Sequence, residues 1–460
     1  MKKLLSLICF GFMSLGLVQA QEQSQTANLG VLELSLDEAI EIALTDNPTI
    51  KVANLEIERY DYVHKQVVAT LYPQVDASAQ YSLAIKRQEM AEGLSFGGKN
   101  TFNVAGTVSL PLFVPSVYRQ MKMTRTQMET AVESARTTRI DMVAAVRSAY
   151  YNVLLAEQSM AVLNEAVATT QSVVDNTRNL YENGLAAEYD YITAQVQLSN
   201  LKPQVLQAQN AIEITKLQLK MYLSIPEDVE IALRGTLDDF RSQVLLGEDY
   251  STDISENTTL RTLDLQRELL EHQEKLIQTT RMPTVAAFGQ ISYIGQERVN
   301  LGGLLGGMAG GAGGATAEQS KFWWQYPINI GAQISIPLFA GFKKTNQLRE
   351  VRNQMKQLEI QREYAEEGIR LQVEQAINTL LTARETMLSN ELTVEQATKA
   401  YDISLSRYNA GAGTILELNS SQLSLTQAQL SYSQSIYDYL SAYAQYEKTL
   451  GIERYAENVK

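Results

Sequence analysis

Cysteine is all but missing from this sequence. Of 460 residues one, Cys9, is a cysteine, and it lies in an N-terminal segment with the marks of a cleaved leader. The mature chain is therefore expected to hold no disulfide, no thiolate metal site and no cysteine nucleophile. Histidine is nearly as rare. His64 and His272 are too few for a histidine-rich zinc or iron centre, and both read as ordinary helix-surface residues. Positive charge is in deficit, with 39 Lys and Arg against 52 Asp and Glu and a net charge of −13. Without a basic stripe along the sequence, no nucleic-acid partner is expected. Scattered carboxylates without His or Cys make no catalytic constellation, so the chain does not read as an enzyme, and no cofactor or metal is expected. Long apolar runs are confined to Leu4–Leu17, which follows Lys2-Lys3 and precedes the small-residue site Val18-Gln19-Ala20. This is the pattern of a signal peptide over residues 1–20, shorter than the ~20 residues a spanning helix needs. Cys9 stands too early for a lipid-attachment box. Any residence in a membrane must be through strands.

Glycine and proline are absent from long stretches. No glycine lies between Gly106 and Gly184, no proline between Ser116 and Lys202, and none from Leu338 to the end. Sequence rich in Ala, Gln, Leu, Glu and Arg without breakers is helical by propensity. The apolar positions Leu348, Val351, Met355 and Leu358 step by three, four and three, a coiled-coil seam. Helices are expected over 116–182, 188–223, 342–408 and 414–448, with a kink near Asn200 because Pro203 lies inside the second. The first would extend roughly 100 Å at ~1.5 Å per residue, too long to bury its stripe without long partners.

Pro73, Pro111, Pro115, Pro283 and Pro337 flank four segments of another period. Residues 74–86, 101–113, 284–295 and 322–338 alternate apolar with polar, as strands do. Val75, Ala77, Ala79, Tyr81 and Leu83 oppose Asp76, Ser78, Gln80 and Ser82, while Phe288 breaks the pattern of its segment. Each segment is long enough for the ~9–11 residues of a tilted membrane strand. Phe322, Trp323, Trp324 and Tyr326 hold both tryptophans at one strand end, as an interfacial aromatic girdle or a packed loop foot would. Gly302 to Gly314 is glycine-rich and lacks the Lys-Ser/Thr of a phosphate loop.

The chain also reads as a duplication. Asn47 to Pro73 aligns with Asn257 to Pro283 without a gap, sharing Asn47/Asn257, Leu55/Leu265, Lys65/Lys275 and Pro73/Pro283. Val108-Ser109-Leu110-Pro111-Leu112-Phe113 matches Ile334-Ser335-Ile336-Pro337-Leu338-Phe339, and Tyr181, Gly184, Asp190 and Gln195 match Tyr408, Gly411, Glu417 and Gln422. After the leader, residues 21–228 form one repeat and 257–450 the other, with 229–256 an unassigned joint and 451–460 a tail. Each repeat reads helix, two strands, long helix, tight turn, helix. Four strands cannot close a barrel, and open edges are not tolerated in lipid. Several chains must therefore contribute to the ~8 or more strands a barrel needs.

Leu34-Ser35-Leu36-Asp37-Glu38-Ala39-Ile40 through Asn47-Pro48, then Pro73-Gln74-Val75, the two Ser-Leu/Ile-Pro-Leu-Phe strand ends and the two Tyr-x-x-Gly turns resemble the TolC-like outer-membrane efflux proteins. The resemblance covers nearly all of the mature chain. It implies a homotrimer with a twelve-stranded β-barrel in the outer membrane of a Gram-negative bacterium, continued by a long periplasmic α-helical barrel. Such a protein is an exit duct for efflux or type I secretion. Its partners would be a periplasmic adaptor protein and, through it, an inner-membrane pump of RND, MFS or ABC type. By the same resemblance Gly184, Leu185, Gly411 and Ala412 are assigned to the adaptor contact, although a glycine after the last helical turn also simply reverses the chain. Glu188, Asp190 and Glu417 would form carboxylate rings at the tip, with Tyr408 beside them; acids complementing a helix N-terminus are the plainer reading. Gly413 and Ser420 depart from members that carry a basic residue and a second acid there. A porin-like diffusion channel and a soluble periplasmic coiled-coil protein are the alternatives.

Overall fold

The computed structural model describes residues 31–86, 88–91, 94–96, 99–245, 250–297 and 322–453. The leader, the 302–314 loop and all but the start of the tail lie outside them. Nine strands and eight helices are described in chain order: β1 (Leu32–Leu34), α1 (Leu36–Asp46), α2 (Pro48–Ala69), β2 (Gln74–Leu83), β3 (Gln88–Ala91), β4 (Leu94–Phe96), β5 (Asn100–Phe113), α3 (Pro115–Glu182), α4 (Glu188–Leu223), β6 (Ile231–Leu233), α5 (Leu237–Leu245), α6 (Thr258–Thr279), β7 (Thr284–Glu297), β8 (Phe322–Gln325), β9 (Ile328–Ser335), α7 (Lys343–Asn409) and α8 (Ile415–Leu450).

The helices form a layer whose length is set by α3 and α7. At ~1.5 Å per residue the 68 residues of α3 extend about 100 Å, and no single helix packed along it matches that. Two helices placed end to end do. α4 (36 residues) runs back along α3 and ends where α2 (22 residues) begins. α8 (36 residues) and α6 (22 residues) repeat the arrangement in the second half. An asparagine sits at each junction. Asn47 caps α2, its Oδ1 accepting from Thr49 N at 2.8 Å, while its Nδ2 donates to Tyr222 O at 2.8 Å. Asn257 caps α6 through Thr259 N at 3.0 Å and donates to Thr449 O at 2.9 Å. One side chain thus satisfies an orphan donor of one helix and an orphan acceptor of the next. Gly451 ends α8 at φ 77°, and a Cβ there would lie 2.6 Å from Glu256 O, so the second junction admits only glycine.

At the end away from the sheet the helices lie in the order α4, α3, α8, α7; near the sheet α2 and α6 take the places of α4 and α8. The outermost helices α4 and α7 leave apolar rows open, Ile192, Val196, Ile214 and Met221 on one and Ile360, Leu371, Leu388 and Leu392 on the other. Val351 and Leu358 of the expected seam are buried against the layer. α4 is helical through Pro203 without a break.

The core lies midway along the layer, where α1 packs on α3 and α4 and the β1–β6 pair is tied to α3. Ile40, Tyr150, Leu219, Leu380, Ile436 and Tyr439 are fully buried there, each aliphatic contributing ~1.5–3 kcal/mol by its burial. The unassigned joint 229–256 takes part: β6 pairs in parallel with β1, and α5 packs on α8. Tyr150 donates to Leu34 O at 3.0 Å and Arg234 O at 2.7 Å, pinning that strand pair. Its two strands escaped sequence reading because three-residue segments carry too little periodicity.

The sheet has four places, β2, β5, β7 and then β8 with β9, all antiparallel. The expected strand over 322–338 is two strands ending at Ser335. Pro327 has no N–H to donate, so pairing lapses at Tyr326-Pro327, although Ser292 N still donates to Pro327 O at 3.0 Å. β2 stops at Leu83, short of the expected 86. One face of the sheet is an exposed apolar field, with Val75, Tyr81, Val104, Val108, Ile291, Ile330 and Ile334 in register across the strands. The other carries Asp76, Ser78, Thr107, Gln290, Asn329 and Gln333. Phe288 lies on that polar face over Gly331, where a Cβ would meet its ring at 2.9 Å.

Candidate functional site

Both long helices end on the same device. Gly184 and Gly411 have φ of 71° and 70°. Leu185 N donates to Leu180 O at 2.7 Å and Gly184 N to Tyr181 O at 2.9 Å; Ala412 N donates to Arg407 O at 2.8 Å and Gly411 N to Tyr408 O at 3.0 Å. This paired closure consumes the last carbonyls of each helix and turns the chain through a left-handed residue. The helices restart at Glu188 and Ile415. The two turns lie together at the end of the layer farthest from the sheet, since Asn176 Nδ2 donates to Asn409 Oδ1 at 3.3 Å across the halves. Gly184, Leu185, Gly411 and Ala412 are all exposed, Leu185 by 76%.

The four expected gate residues are brought to this tip but occupy different settings. Glu188 is exposed and Asp190 half-buried, both in the first turn of α4. Glu417 lies in the first turn of α8, where Thr414 Oγ1 accepts from Glu417 N at 3.2 Å. All three acids thus stand where a helix N-terminus favours negative charge. Glu417 also faces Arg407 at 3.8 Å, and Arg407 donates to Ala412 O at 3.2 Å. Arg407 closes the second turn with a cation that sequence reading did not single out. A side chain at Gly413 would come within 3.2 Å of Arg407 Cβ and Tyr408 N, which leaves little room for a basic residue there.

Tyr408 points across the halves. Its hydroxyl lies 3.1 Å from Thr177 Oγ1, over a small core of Val173, Val174, Ala194, Tyr401, Ile415 and Leu418. Burial pushes the Tyr401 phenol up. Gln422 likewise reaches the first half, donating to Thr170 Oγ1 at 2.7 Å and Ala166 O at 3.1 Å. Their sequence counterparts behave otherwise. Tyr181 stacks on Tyr191 at 6.1 Å, and Gln195 donates to Tyr191 OH at 2.8 Å within α4. The matches Tyr181/Tyr408 and Gln195/Gln422 were visible in the sequence. Which member of each pair reaches the other half depends on helix order, which the sequence does not display.

At the opposite end of the molecule the aromatic residues fall on two faces. Phe322 and Trp324 share the apolar face with Tyr81, Phe102 and Tyr293, forming one row across the strands. Tyr81 and Phe102 are 4.8 Å apart, and Tyr293 stacks on Trp324 at 4.8 Å. Trp324 lies flat on Gly295, where a Cβ would meet the ring at 2.5 Å. Of the four residues expected in the girdle, Phe322 and Trp324 lie on the apolar face, Trp323 points to the other face by strand alternation, and Tyr326 lies off the ladder beside Pro327.

The histidines are not free surface residues. His64 Nδ1 is 2.8 Å from Thr124 Oγ1 of α3, and His272, largely covered, lies 3.3 Å from Glu268. Among the described residues no group of three or more His, Cys, Asp or Glu is placed to hold a metal ion, and no helix is long and apolar enough to cross a membrane.

A family model described as outer membrane efflux protein matches residues 39–224 and 250–452. Among curated proteins, the toluene efflux pump outer membrane protein TtgC of Pseudomonas putida is 24% identical over 203 residues, 42% of this chain and 41% of that protein. The antibiotic efflux pump outer membrane protein ArpC of the same species matches to the same extent. The match therefore spans about two-fifths of the length of these curated relatives. Solved structures are alike over more of the chain. CusC has a TM-score of 0.71 at 16% identity, covering 94% of this chain and 96% of its own. The outer membrane channel CmeC of Campylobacter jejuni has a TM-score of 0.67 at 15% identity, covering 92% and 88%. At such identities the likeness is one of fold.

Proposed function

The chain belongs to the outer membrane efflux protein family, and from that premise we propose that it is an outer-membrane exit duct. It conducts substrates passively from an inner-membrane transporter and a periplasmic adaptor to the exterior, and it is not an enzyme. The observation that carries this reading is one fold with two ends: a sheet with an exposed apolar face and unpaired edges at one, and paired helical turns about 100 Å away at the other. A sheet edge left open in lipid must find another strand, and the open apolar rows of α4 and α7 call for a neighbouring copy in the same way. Three copies give twelve strands around one axis. The matching element order and the matching Asn47/Asn257 junctions support reading the two halves as repeats joined by 229–256.

In this assembly Asp190, Glu188 and Glu417 line the constriction with Tyr408 behind them, while Gly184, Leu185, Gly411 and Ala412 meet the adaptor. The row of Tyr81, Phe102, Tyr293, Phe322 and Trp324 lies at the outer membrane–water boundary. Helices dominate the chain, which counts against a diffusion porin. The exposed apolar sheet counts against a soluble coiled-coil protein.

Single-channel conductance of the purified mature protein in a planar bilayer tests the reading, beside the Asp190→Asn/Glu417→Gln variant. A small, cation-selective conductance that changes in the variant is expected. A large conductance indifferent to both substitutions would remove the acidic gate, and a monomer that does not insert would remove the duct.

A further inference from the structure

The sequence has no continuous basic stripe, but folding gathers a basic collar. The first charged residues of α3 are Arg119, Lys122 and Arg125, and those of α7 are Lys343, Lys344 and Arg349; neither helix carries an acid before Glu129 and Glu350. Both helices start where the chain leaves the sheet. Arg281 joins them from the turn between α6 and β7, donating to Thr345 Oγ1 at 3.4 Å, and Lys344 Nζ donates to Thr280 O. Arg125 faces Glu129 at 3.8 Å. Among the described residues the other six cations pair with no carboxylate. In a chain of net charge −13, this rim is a local inversion of sign.

The rim is also apolar. Below β9 the exposed strip of Ile334 and Ile336 continues into Leu338, Phe339 and Phe342, which are 91%, 77% and 69% exposed. The two phenyl rings meet edge to face at 5.7 Å. Phe342 is held at φ 61°, a conformation L residues rarely adopt. Tyr72, Tyr118 and Met282 are exposed on the neighbouring elements. Arg281, Leu338, Phe339, Phe342 and Lys344 border a groove of about 320 Å³.

We propose that this collar binds the phosphate headgroups of anionic glycerophospholipids in the membrane leaflet at the helical end of the barrel. The inference rests on the barrel reading above. The rings of Phe339 and Phe342 enter the acyl layer as a continuation of the apolar sheet face. The cations at α3 and α7, together with Arg281, then sit at headgroup depth and meet phosphate oxygens. Charge complementarity selects an anionic headgroup, and a free anion would have no use for the exposed rings.

The test reconstitutes the full mature protein into nanodiscs of equimolar phosphatidylcholine and phosphatidylglycerol and counts protein-retained lipids by native mass spectrometry. Retained phosphatidylglycerol should exceed phosphatidylcholine. Lys343→Gln/Lys344→Gln should cut the excess by about fivefold or more, the effect of one basic group or more near a membrane surface. Lys343→Arg/Lys344→Arg should keep it, excess inorganic phosphate should not displace it, and Phe339→Ser/Phe342→Ser should reduce retention of both lipids. An unchanged lipid ratio in the Gln variant overturns the proposal. So does loss of the oligomer in that variant without a change in lipid, which would make the collar a contact between copies. Failure of the wild-type protein to enter nanodiscs overturns the barrel reading instead.

Discussion

Gly184 and Gly411 are the residues at which backbone conformation alone decides what is allowed. Open space surrounds both positions, so a methyl group would meet no neighbour, and the penalty of an alanine is the left-handed φ itself, ~1–2 kcal/mol. Gly184→Ala and Gly411→Ala should therefore speed hydrogen exchange of the tip amides by about tenfold and leave the global melting temperature almost unchanged. Tyr150 is the reverse case, a side chain fixed entirely by what surrounds it. Burial pushes its phenol up to about 12 from an ordinary 10.0. The folded chain therefore holds a proton that the unfolded chain releases first. Its stability contribution is complete below pH 10 and falls as pH rises from about 10 toward 12. Thermal unfolding followed across that range should show the loss. Tyr150→Phe should make the slope shallower and cost ~1–3 kcal/mol near neutrality, because Arg234 O loses its donor. Tyr432 and Tyr439, also raised to about 12 by burial, should keep part of the slope in that variant.

Helices in this protein are joined as much as they are folded. Each of the two junctions relies on one asparagine that caps the incoming helix with its oxygen and holds the outgoing helix with its nitrogen. Asn47→Ala or Asn257→Ala should lower stability by ~1–2 kcal/mol per site. Asn47→Asp should lose less, since the carboxylate keeps the cap and gives up only the donor to Tyr222 O. Circular-dichroism melts of the three single variants would separate the two roles; an Asp variant as unstable as the Ala variant would mean that the junction depends on the donor. α1 is fastened differently. Hydrogen bonds from the Ser35 backbone and hydroxyl hold the Glu38 carboxyl below its usual range. The cap is therefore present above the ordinary carboxylate pKa and lost as acidification passes the lowered one.

On the scale of the whole molecule, the exposed apolar surfaces set the terms. The rows on α4 and α7 lie at opposite edges of one layer, as the proposed ring of copies requires. If the proposed oligomer forms through this row, Leu388→Glu/Leu392→Glu should convert it to a folded monomer, read by light scattering in detergent, because a carboxylate buried unpaired between helices costs several kcal/mol. An oligomer that withstands both charges would place that row on the lumen or the outer surface.

The sequence by itself determined the kind of the long elements. Missing glycine and proline marked the long helices, period two marked the strands, and the paired Tyr-x-x-Gly turns marked the tips, because each is a local rule of backbone sterics and side-chain spacing. What only the tertiary structure decided depends on residues far apart in the chain. Tyr81, distant in the chain from Trp324, joins its aromatic row through strand register. Tyr408, on the edge helix α7, meets Thr177 of the other half, while its counterpart Tyr181, on α3 inside the layer, stacks on Tyr191 of α4 in its own half. The basic collar, spread over three separate segments, exists only because α3, α6 and α7 meet the sheet at the same height.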